Sequence, residues 1–390
     1  MRYVNPLKPL EIMSILTGKR ILFLFGSLDM GGAERQGLLL ARHLKEDEGA
    51  EVKVWGLGKE TGSVSYCCDG SHIPWKAIPL HWGLRRRLPH LIRFAFYLRR
   101  ERPEILLSFT KVPNLAAALF WHLCGVRLMV WNQADAGLLL EPTLFHRYAV
   151  SKVKHFIANA EGGQRYLVEK FGIESDKVAL IRNGITLAPP RADSCEWHRV
   201  LNVDTTVLIA VMVANLSSYK DHATLLDSWM LLLQQWKGIP PLLVLAGRFD
   251  DRADALEKQA LKLGITENVR FLGAVDDVSG LLSASDLCVH SSPSEGIPNA
   301  VVEAMASGLA IAGTDIPGMR EAVGDEGIPF LVPPADPLAL ANIMIQLLSE
   351  PDLRLTQGVL MKKRASDLFG FDRFCRDTVK YLNSCAGEFS

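Results

Sequence analysis

The sequence predicts an α/β fold in which helices cover both faces of parallel sheets. Short apolar runs of strand length alternate with longer amphipathic stretches along most of the chain. The short runs are apolar throughout, which is typical of strands that are buried on both faces. With 390 residues, the chain is long enough for two domains of ordinary size.

The predicted strands form two groups, one in each half of the chain. In the first half they are RILFLF (20–25), EVKVWGL (51–57), EILLSF (104–109), RLMVW (127–131), HFIAN (155–159) and KVALIRN (177–183). In the second half they are TVLIAVMVA (206–214), PLLVLAG (241–247), NVRFLG (268–273), DLCVHSS (286–292), LAIAG (309–313) and IPFLV (328–332). Because helical patterns separate most of these runs, each group predicts one Rossmann-like domain.

The boundary between the two domains is predicted from a change in composition. Residues 188–204 carry Pro, Ser and charged residues and break the alternation, which is typical of a linker. We therefore predict a first domain over 1–187 and a second domain over 205–369. The tail, 370–390, has helical spacing and no strand to pair with, so we expect a helix that packs back across the domain boundary.

The composition excludes several classes of protein. Hydrophobic residues make up 48% and charged residues 22%, which is typical of a globular protein. The formal net charge is zero, which gives no case for a nucleic-acid partner. The seven cysteines contain no CxxC pair and indicate reduced thiols in a cytoplasmic protein. Charges interrupt the N-terminal stretch and the most apolar stretch (115–131), so we expect neither a signal peptide nor a membrane span.

The charges are unevenly distributed between the two halves. Residues 1–187 carry 26 Lys and Arg against 17 Asp and Glu, and residues 188–390 carry 17 against 26. This asymmetry indicates that the two halves meet different partners, and that the partner of the first half is anionic.

The stretch SEGIPNAVVEAMASG (294–308) places two glutamates around the start of a predicted helix. Pro298 suits the first turn of that helix and Gly308 suits its C-terminal cap. Glu295 then lies in the loop that leaves a strand, and Glu303 lies about one and a half turns into the helix. Backbone N–H groups at such a helix start bind phosphate, and the two carboxylates can accept from hydroxyls on either side. A nucleotide sugar fits this layout, and the alternative is an ordinary loop with solvated acids.

Two further motifs are compatible with a phosphorylated ligand. Gly31 and Gly32 follow the first predicted strand and lead into a helix, where backbone can approach a phosphate closely. Lys220 follows the first strand of the second domain and can neutralise a diphosphate. The alternatives are a tight turn for the glycines and a surface residue for the lysine.

Taken together, these motifs resemble the retaining nucleotide-sugar glycosyltransferases of family four, which have the GT-B fold. The resemblance covers nearly the whole chain, and its specific part runs from 214 to 334 through the motifs KDHATLL, AGR, FLG, SEGIPNAVVEAMASG and TDIPGMRE. It implies two Rossmann-like domains facing a central cleft. The first domain would bind the acceptor and the second would bind the nucleotide sugar.

The resemblance also implies roles for individual residues. Glu295 would hold hydroxyls of the donor sugar, Glu303 would bind the ribose, and Lys220 would stabilise the leaving diphosphate. The diphosphate would also contact the backbone of a further set of residues, namely Gly31, Gly32, Gly296, Ile297, Pro298 and Asn299. No metal and no cofactor are expected, and the donor is expected to be a UDP or GDP sugar.

Two positions depart from the family pattern. The family usually has Arg where this chain has Asn215, which brings no charge; Asn215 remains a candidate catalytic and donor-binding residue, and Arg248 is a candidate replacement for the charge. Many members have His in the loop that here reads VWNQADAG (130–137). Gln133 and Asp135 are therefore the candidate contacts to the sugar or the acceptor.

The implied reaction is transfer of a hexose from a nucleotide diphosphate to an acceptor hydroxyl with retention at the anomeric carbon. The acceptor would be a polysaccharide, a glycolipid or another glycoconjugate precursor. The alternatives are a nucleotide-sugar epimerase or a phosphorylase-like enzyme on the same fold, or a degenerate partner subunit without activity.

Residues 84–102 form a basic amphipathic stretch in the first domain. Leu88, Leu91, Ile92, Ala95 and Phe96 follow helical spacing, and arginines surround them. Such a helix can lie on an anionic membrane surface, which would make the protein peripheral on the inner face of the membrane. The alternative is a helix that packs within the domain and exposes a solvated arginine face.

Overall fold

The computed structural model describes residues 14–58, 61–80, 87–134 and 143–387, and the side chain of Arg87 is outside this description. These residues form two compact units. The first comprises the chain up to Ala158, Gln164–Ile181 and the residues from Cys375 onward. The second comprises Asn159–Gly163 and Arg182–Phe374.

The first unit contains a seven-stranded parallel sheet with strand order β3-β2-β1-β4-β5-β6-β7. Its strands are β1 (Arg20–Phe25), β2 (Glu51–Gly56), β3 (Trp75–Ala77), β4 (Ile105–Phe109), β5 (Leu128–Gln133), β6 (His155–Ala158) and β7 (Val178–Leu180). Its helices are α1 (Gly32–Glu46), α2 (Ser63–Gly70), α3 (Arg87–Glu101), α4 (Lys111–Phe120), α5 (Leu144–Val150) and, from Gln164 onward, α6 (Glu161–Phe171). A 3₁₀ turn at Ser175–Lys177 precedes β7.

Alternate residues of the first strand face opposite sides of this sheet. Leu22 and Leu24 lie in the core that also contains buried residues of α3, α4, α5 and α6. On the other face, the Phe25 ring packs on Phe109 and lies so close to Gly37 of α1 that a Cβ there would be 2.4 Å from it. Burial on both faces explains why β1 is apolar throughout.

The second unit contains a six-stranded parallel sheet with strand order β10-β9-β8-β11-β12-β13. Its strands are β8 (Ile209–Val213), β9 (Leu242–Ala246), β10 (Val269–Gly273), β11 (Leu287–His290), β12 (Ala310–Thr314) and β13 (Leu331–Val332). Its helices are α7 (Ser194–Leu201), α8 (His222–Gln235), α9 (Ala253–Leu263), α10 (Val278–Ser283), α11 (Asn299–Ser307), α12 (Pro317–Val323), α13 (Pro337–Ser349) and α14 (Pro351–Phe369). Further 3₁₀ turns lie at Thr266–Asn268 and Ile328–Phe330.

The second sheet is also covered on both faces. Ile209 and Val211 of β8 lie in the core with α11 and α14, whereas Ala210 and Met212 lie in the core with α8, α9 and α13. The predicted α/β fold with two Rossmann-like parallel-sheet domains is therefore confirmed.

The stretch predicted as a linker, 188–204, contains a helix. Residues Ser194–Leu201 form α7, and its Trp197 is buried in the core of the second unit. Asp277 accepts hydrogen bonds from the backbone N–H groups of Arg191 and Ala192 and from the Trp197 indole. The stretch is part of the second unit, and Trp197 and the bonds to Asp277 anchor it there.

The last helix, α15 (Phe371–Gly387), follows α14 directly. Its residues from Cys375 onward belong to the first unit, where the Tyr381 hydroxyl donates a hydrogen bond of 3.2 Å to the Phe156 carbonyl of β6. Among the described residues, no helix combines the length and the apolarity that crossing a bilayer requires.

A glutamine completes one edge of the second sheet. β13 pairs with β12 only at Gly313 and Thr314, so Ile311 of β12 has no strand partner on that side. The buried Gln357 of α14 accepts from the Ile311 N–H at 2.7 Å and donates to its carbonyl at 3.1 Å. The side chain thus replaces one residue of a missing strand.

We predict that Gln357→Leu lowers the free energy of unfolding by about 2–4 kcal/mol, because it leaves a buried donor and a buried acceptor of Ile311 unpaired. Urea unfolding of the purified variant measures this loss. Gln235→Leu is the control, since Gln235 bonds a carbonyl within its own helix at an exposed position. Equal stabilities of the two variants would contradict the bridging role.

Candidate active site

The candidate site lies where the order of the second sheet reverses. β8 and β11 are neighbours, and the chain proceeds from β8 outward to β9 and from β11 outward to β12. The loops after β8 and β11 therefore diverge and leave a crevice at the carboxyl edge of the sheet, which is where open α/β sheets bind ligands. The first of these loops carries Lys220 and the second carries Glu295.

Hydrogen bonds hold the two loops against each other. The Asp221 N–H donates to the Ser291 carbonyl at 3.1 Å, and the Ser292 hydroxyl lies 3.3 Å from the Tyr219 carbonyl. The Ser292 backbone is in turn fixed to β12, because Thr314 Oγ1 accepts from its N–H and donates to its carbonyl. The positions of Lys220 and Glu295 therefore depend on one connected set of bonds.

Glu295 lies between two potential donors. Lys220 Nζ contacts its Oε1 atom, and His290 Nε2 lies 3.1 Å from the same oxygen. Burial alone would raise the pKa of Glu295, but the His290 hydrogen bond and the Lys220 charge outweigh it and lower the pKa to about 2. Glu295 is therefore a carboxylate at physiological pH and acts as a hydrogen-bond acceptor.

Two buried histidines lie beside this carboxylate. Burial lowers the pKa of His290 and the Lys220 charge lowers it further, although the bond to Glu295 opposes both. Burial also lowers the pKa of His222 to about 4, with further contributions from His290 and Lys220. Both imidazoles are therefore neutral at pH 7, and the positive charge at this site belongs to Lys220.

The helix after Glu295 has the predicted form with one correction. Pro298 is the N-cap of α11 and not part of its first turn, and Asn299 is the first helical residue. Gly308 ends the helix with φ of 87°, as its C-cap role requires. Glu303 lies four residues after Asn299, hence on the same face of the helix, and its side chain is buried.

The backbone at Glu295 and Gly296 is packed against α12. A Cβ at Gly318 would lie 1.6 Å from the Gly296 carbonyl oxygen and 2.7 Å from that of Glu295. Only glycine leaves room for this approach, so α12 supports the loop from behind. The Asn299 side chain is held as well, because its Oδ1 accepts from Asn183 Nδ2 at 3.1 Å.

The Asn215 side chain is hydrogen-bonded to the backbone of the next loop. Its Oδ1 accepts from the Arg248 N–H at 3.1 Å, which ties the loop after β8 to the loop after β9. The Arg248 side chain is 57% exposed and its Nε lies 3.8 Å from Asp250. The proposed replacement of the missing charge by Arg248 stays a prediction.

The two glycines predicted to approach a phosphate lie in the first unit. Gly31 is the N-cap of α1 and Gly32 is its first residue. Burial raises the pKa of Glu34, and hydrogen bonds from the Glu34 and Gly31 N–H groups oppose this rise. A Cβ at Gly31 would lie 2.6 Å from Glu34 Oε2, so a carboxylate already lies beside this turn.

The candidate sugar contacts of the first unit are only partly described. Gln133 ends β5 and is buried, and its Oε1 accepts from the Trp131 indole at 3.0 Å. Asp135 lies outside the described residues. Neither assignment is tested by the structure.

Of the predicted residues, the structure brings Lys220 and Glu295 into direct contact at the start of α11. The sequence analysis did not identify His290, which completes this cluster. The available signal was a polar residue at the end of an otherwise apolar strand, followed five residues later by Glu295. A histidine at the carboxyl end of a parallel strand faces the ligand-binding edge of the sheet.

Two family models match the chain one after the other. The model of Glycosyltransferase Family 4 matches residues 30–188, and the model of the glycosyl transferases group 1 matches residues 193–362. The chain belongs to the group 1 glycosyltransferases. The family resemblance stated from the motifs is therefore confirmed, and with it the prediction of a transferase enzyme.

Individual relatives of this glycosyltransferase are distant. An uncharacterized glycosyltransferase of Haemophilus influenzae is 24% identical over 82% of this chain and 91% of that protein. The D-inositol 3-phosphate glycosyltransferase of Streptomyces scabiei is 28% identical over 59% of this chain and 54% of that protein, so the match spans about half of it. The crystal structure of Anabaena Alr3699/HepE in complex with UDP and glucose has a TM-score of 0.80 at 22% identity, covering 94% of this chain and 100% of that chain. This last likeness confirms the GT-B fold of the glycosyltransferase.

The low pKa of Glu295 predicts a pH dependence of stability. Its pKa is 4.5 for an ordinary glutamate, as in the unfolded chain, and about 2 in the folded protein. Ionised Glu295 therefore stabilises the fold above pH 4.5. That contribution is lost as the pH falls from 4.5 towards 2. We therefore expect Glu295→Gln to cost more unfolding free energy at pH 6 than at pH 3 in urea titrations. The exposed Glu257 on α9, changed to Gln, is the control, and a cost independent of pH would contradict the assigned charge state.

Proposed function

We propose that this glycosyltransferase moves a sugar from a nucleotide diphosphate to an acceptor hydroxyl and retains the anomeric configuration. The observation that carries the proposal is the contact between Lys220 and Glu295 beside the start of α11. It places one ammonium, one carboxylate and a set of backbone N–H groups at the ligand-binding edge of the second sheet. A sugar diphosphate has complementary groups for all three.

Each group has a separate task in the proposed reaction. Lys220 and the first N–H groups of α11 stabilise the negative charge that develops on the leaving diphosphate. Glu295 accepts hydrogen bonds from hydroxyls of the donor sugar and thereby fixes the anomeric carbon. Glu303, one turn into α11, binds the ribose hydroxyls.

The proposed chemistry needs no protein nucleophile. The bond between the anomeric carbon and the phosphate oxygen breaks, and the acceptor oxygen forms the new bond on the same face of the sugar. The proton of the acceptor hydroxyl passes to the departing phosphate oxygen. Catalysis then consists of positioning and charge stabilisation.

We propose UDP or GDP as the nucleotide of the donor and Lys220 with backbone amides as the groups that hold its diphosphate. The related fold of HepE, which was crystallised with UDP and glucose, supports a UDP sugar as the first candidate to test. Because Lys220 supplies a full positive charge at this place, we expect turnover without an added divalent metal. Activity in the presence of EDTA measures this directly.

The acceptor is proposed to be presented at an anionic membrane surface. On α3, Leu91, Phe94 and Leu98 are buried in the core, so the apolar face predicted for this helix is divided between core and surface. A different side of the helix carries three exposed apolar side chains, which we call the α3 stripe: Leu88 (68% exposed), Ile92 (59%) and Phe96 (62%).

Basic residues accompany this stripe. Arg93, Arg99 and Arg100 are exposed on the same helix, and Arg99 donates to the carbonyl of Leu123, itself an exposed apolar residue. An apolar stripe flanked by arginines matches the interface of an anionic bilayer, where the apolar groups insert and the arginines meet lipid phosphates. We therefore propose a lipid-linked acceptor as the second substrate.

Product analysis tests the proposed reaction. Purified protein is incubated with UDP-glucose or GDP-mannose and a panel of lipid-linked and soluble glycan acceptors, and the product linkage is assigned by NMR. The proposal is supported if the anomeric C–O bond is axial in both donor and product and if nucleotide diphosphate is released. In a parallel incubation of the glycans with inorganic phosphate, release of sugar phosphate would indicate a phosphorylase. Isomerised sugar nucleotide formed without acceptor would indicate an epimerase, and an inverted linkage would refute retention.

The two glutamates are expected to differ in their effects. Glu295→Ala should lower turnover at least about a hundredfold with little change in the affinity for free nucleotide, because it contacts the sugar near the reacting carbon. Glu303→Ala should mainly weaken nucleotide binding, by about tenfold, because one ribose contact is lost. Calorimetry with UDP and turnover assays separate the two, Glu257→Ala serves as control, and equal effects of both changes would remove the assignment.

The α3 stripe is expected to control membrane binding. Replacing Leu88, Ile92 and Phe96 by Ser should lower binding to vesicles of phosphatidylglycerol at least about tenfold, because burial of three apolar side chains is lost. Leu261→Ser, which removes an exposed leucine of the second unit, is the control. Binding of the unchanged protein should weaken with added salt. Sedimentation with vesicles measures both, and an unchanged affinity of the triple variant would contradict the proposal.

A further inference from the structure

His290 is rigidly held at the end of β11. It is 2% exposed, and β11 is paired with β8 on one side and with β12 on the other. Its Nε2 atom lies 3.1 Å from Glu295 Oε1. Because an ionised carboxylate can only accept, the neutral imidazole must carry its hydrogen on Nε2.

The two oxygens of Glu295 have different surroundings. Oε1 is bound by both His290 Nε2 and Lys220 Nζ, whereas no described residue donates a hydrogen bond to Oε2. The carboxylate is thus fixed through one oxygen, and the lone pairs of the other remain available.

The two donors to Oε1 differ in how they can respond to a ligand. Lys220 has a long flexible stem and a full charge, which a diphosphate attracts away from Glu295. His290 is neutral and buried, and its backbone is fixed in the sheet, so a diphosphate does not compete for it. When the donor binds, His290 is the group that continues to hold Glu295.

We propose that His290 is a positioning residue for the donor sugar: it fixes Glu295 through Oε1 so that Oε2 accepts from the sugar hydroxyls while Lys220 moves to the diphosphate. The inference rests on the proposed function, because it assigns the sugar-binding task to Glu295. It separates two parts of donor recognition, since His290 acts on the sugar through Glu295 and makes no contribution to the nucleotide.

The test compares the affinities for UDP-glucose and UDP, or for GDP-mannose and GDP if the protein prefers that pair. We expect His290→Leu to weaken sugar-nucleotide binding at least about tenfold while nucleotide affinity changes less than about twofold, because one hydrogen bond to a charged group is lost. His290→Gln should restore wild-type affinity to within about threefold. Its amide nitrogen is the same number of bonds from Cα as Nε2, whereas the shorter His290→Asn cannot reach and should behave like the Leu variant.

Controls separate positioning from folding. His198→Leu removes another buried histidine of the same unit, one that bonds its own helix, and should leave both affinities unchanged. Thermal unfolding identifies variants that fail to fold, and the Gln and Asn variants then carry the test. Equal losses for sugar nucleotide and nucleotide, or a Gln variant no better than Asn, would overturn the positioning role alone. An unchanged protein that binds none of the sugar nucleotides would instead refute the proposed function.

Discussion

The candidate site depends on the partly buried carboxylate of Glu295 and its bonds to Lys220 and His290. Burying an acid is unfavourable, and here Lys220 and His290 offset the cost and keep the group ionised. Lys220 comes from the loop after β8 and His290 is the last residue of β11, and the sheet order places these two strands side by side. The fold therefore determines the charge state of the site through strand order, and the charge state determines what the site can bind.

The same loops show how little freedom surrounds this carboxylate. Thr314 fixes Ser292 from β12, and Gly318 allows α12 to pack directly on the Gly296 carbonyl. Lys220 and Glu295 lie on irregular backbone, but β12 and α12 support the loop that carries Glu295. Such support allows a loop to hold a carboxylate in a defined orientation before any ligand is present.

Much of the fold follows from local sequence, because burial on both faces makes each strand a recognisable apolar run. β3 was missed, since Trp75–Ala77 is too short to show a period. α7 was missed because Pro and charged residues around it resemble a linker, although Trp197 anchors it. Five apolar residues of α3 were assigned to one face, because spacing alone does not say which of them meet the core.

The candidate site could also be predicted only where a local pattern indicates it. Lys220 and Glu295 were found because each lies in a loop that follows a strand, where sequence alone indicates exposure to ligands. Their contact across 75 positions depends on strand order, which no local pattern contains. His290 was read only as the end of a strand. The bond from the Arg248 N–H to Asn215 was also not predicted, because it joins two separate loops. Long-range pairing is thus the part that the sequence leaves open.

The bridge from Gln357 to Ile311 has a consequence for the behaviour of the protein in a crowded solution. An unpaired stretch of β-strand is a template for a strand from another molecule, and this is a common route to aggregation. Because β13 is too short to cover β12, the amide of Gln357 occupies the backbone groups that a foreign strand would need. A single side chain thereby closes this part of the sheet to intermolecular growth.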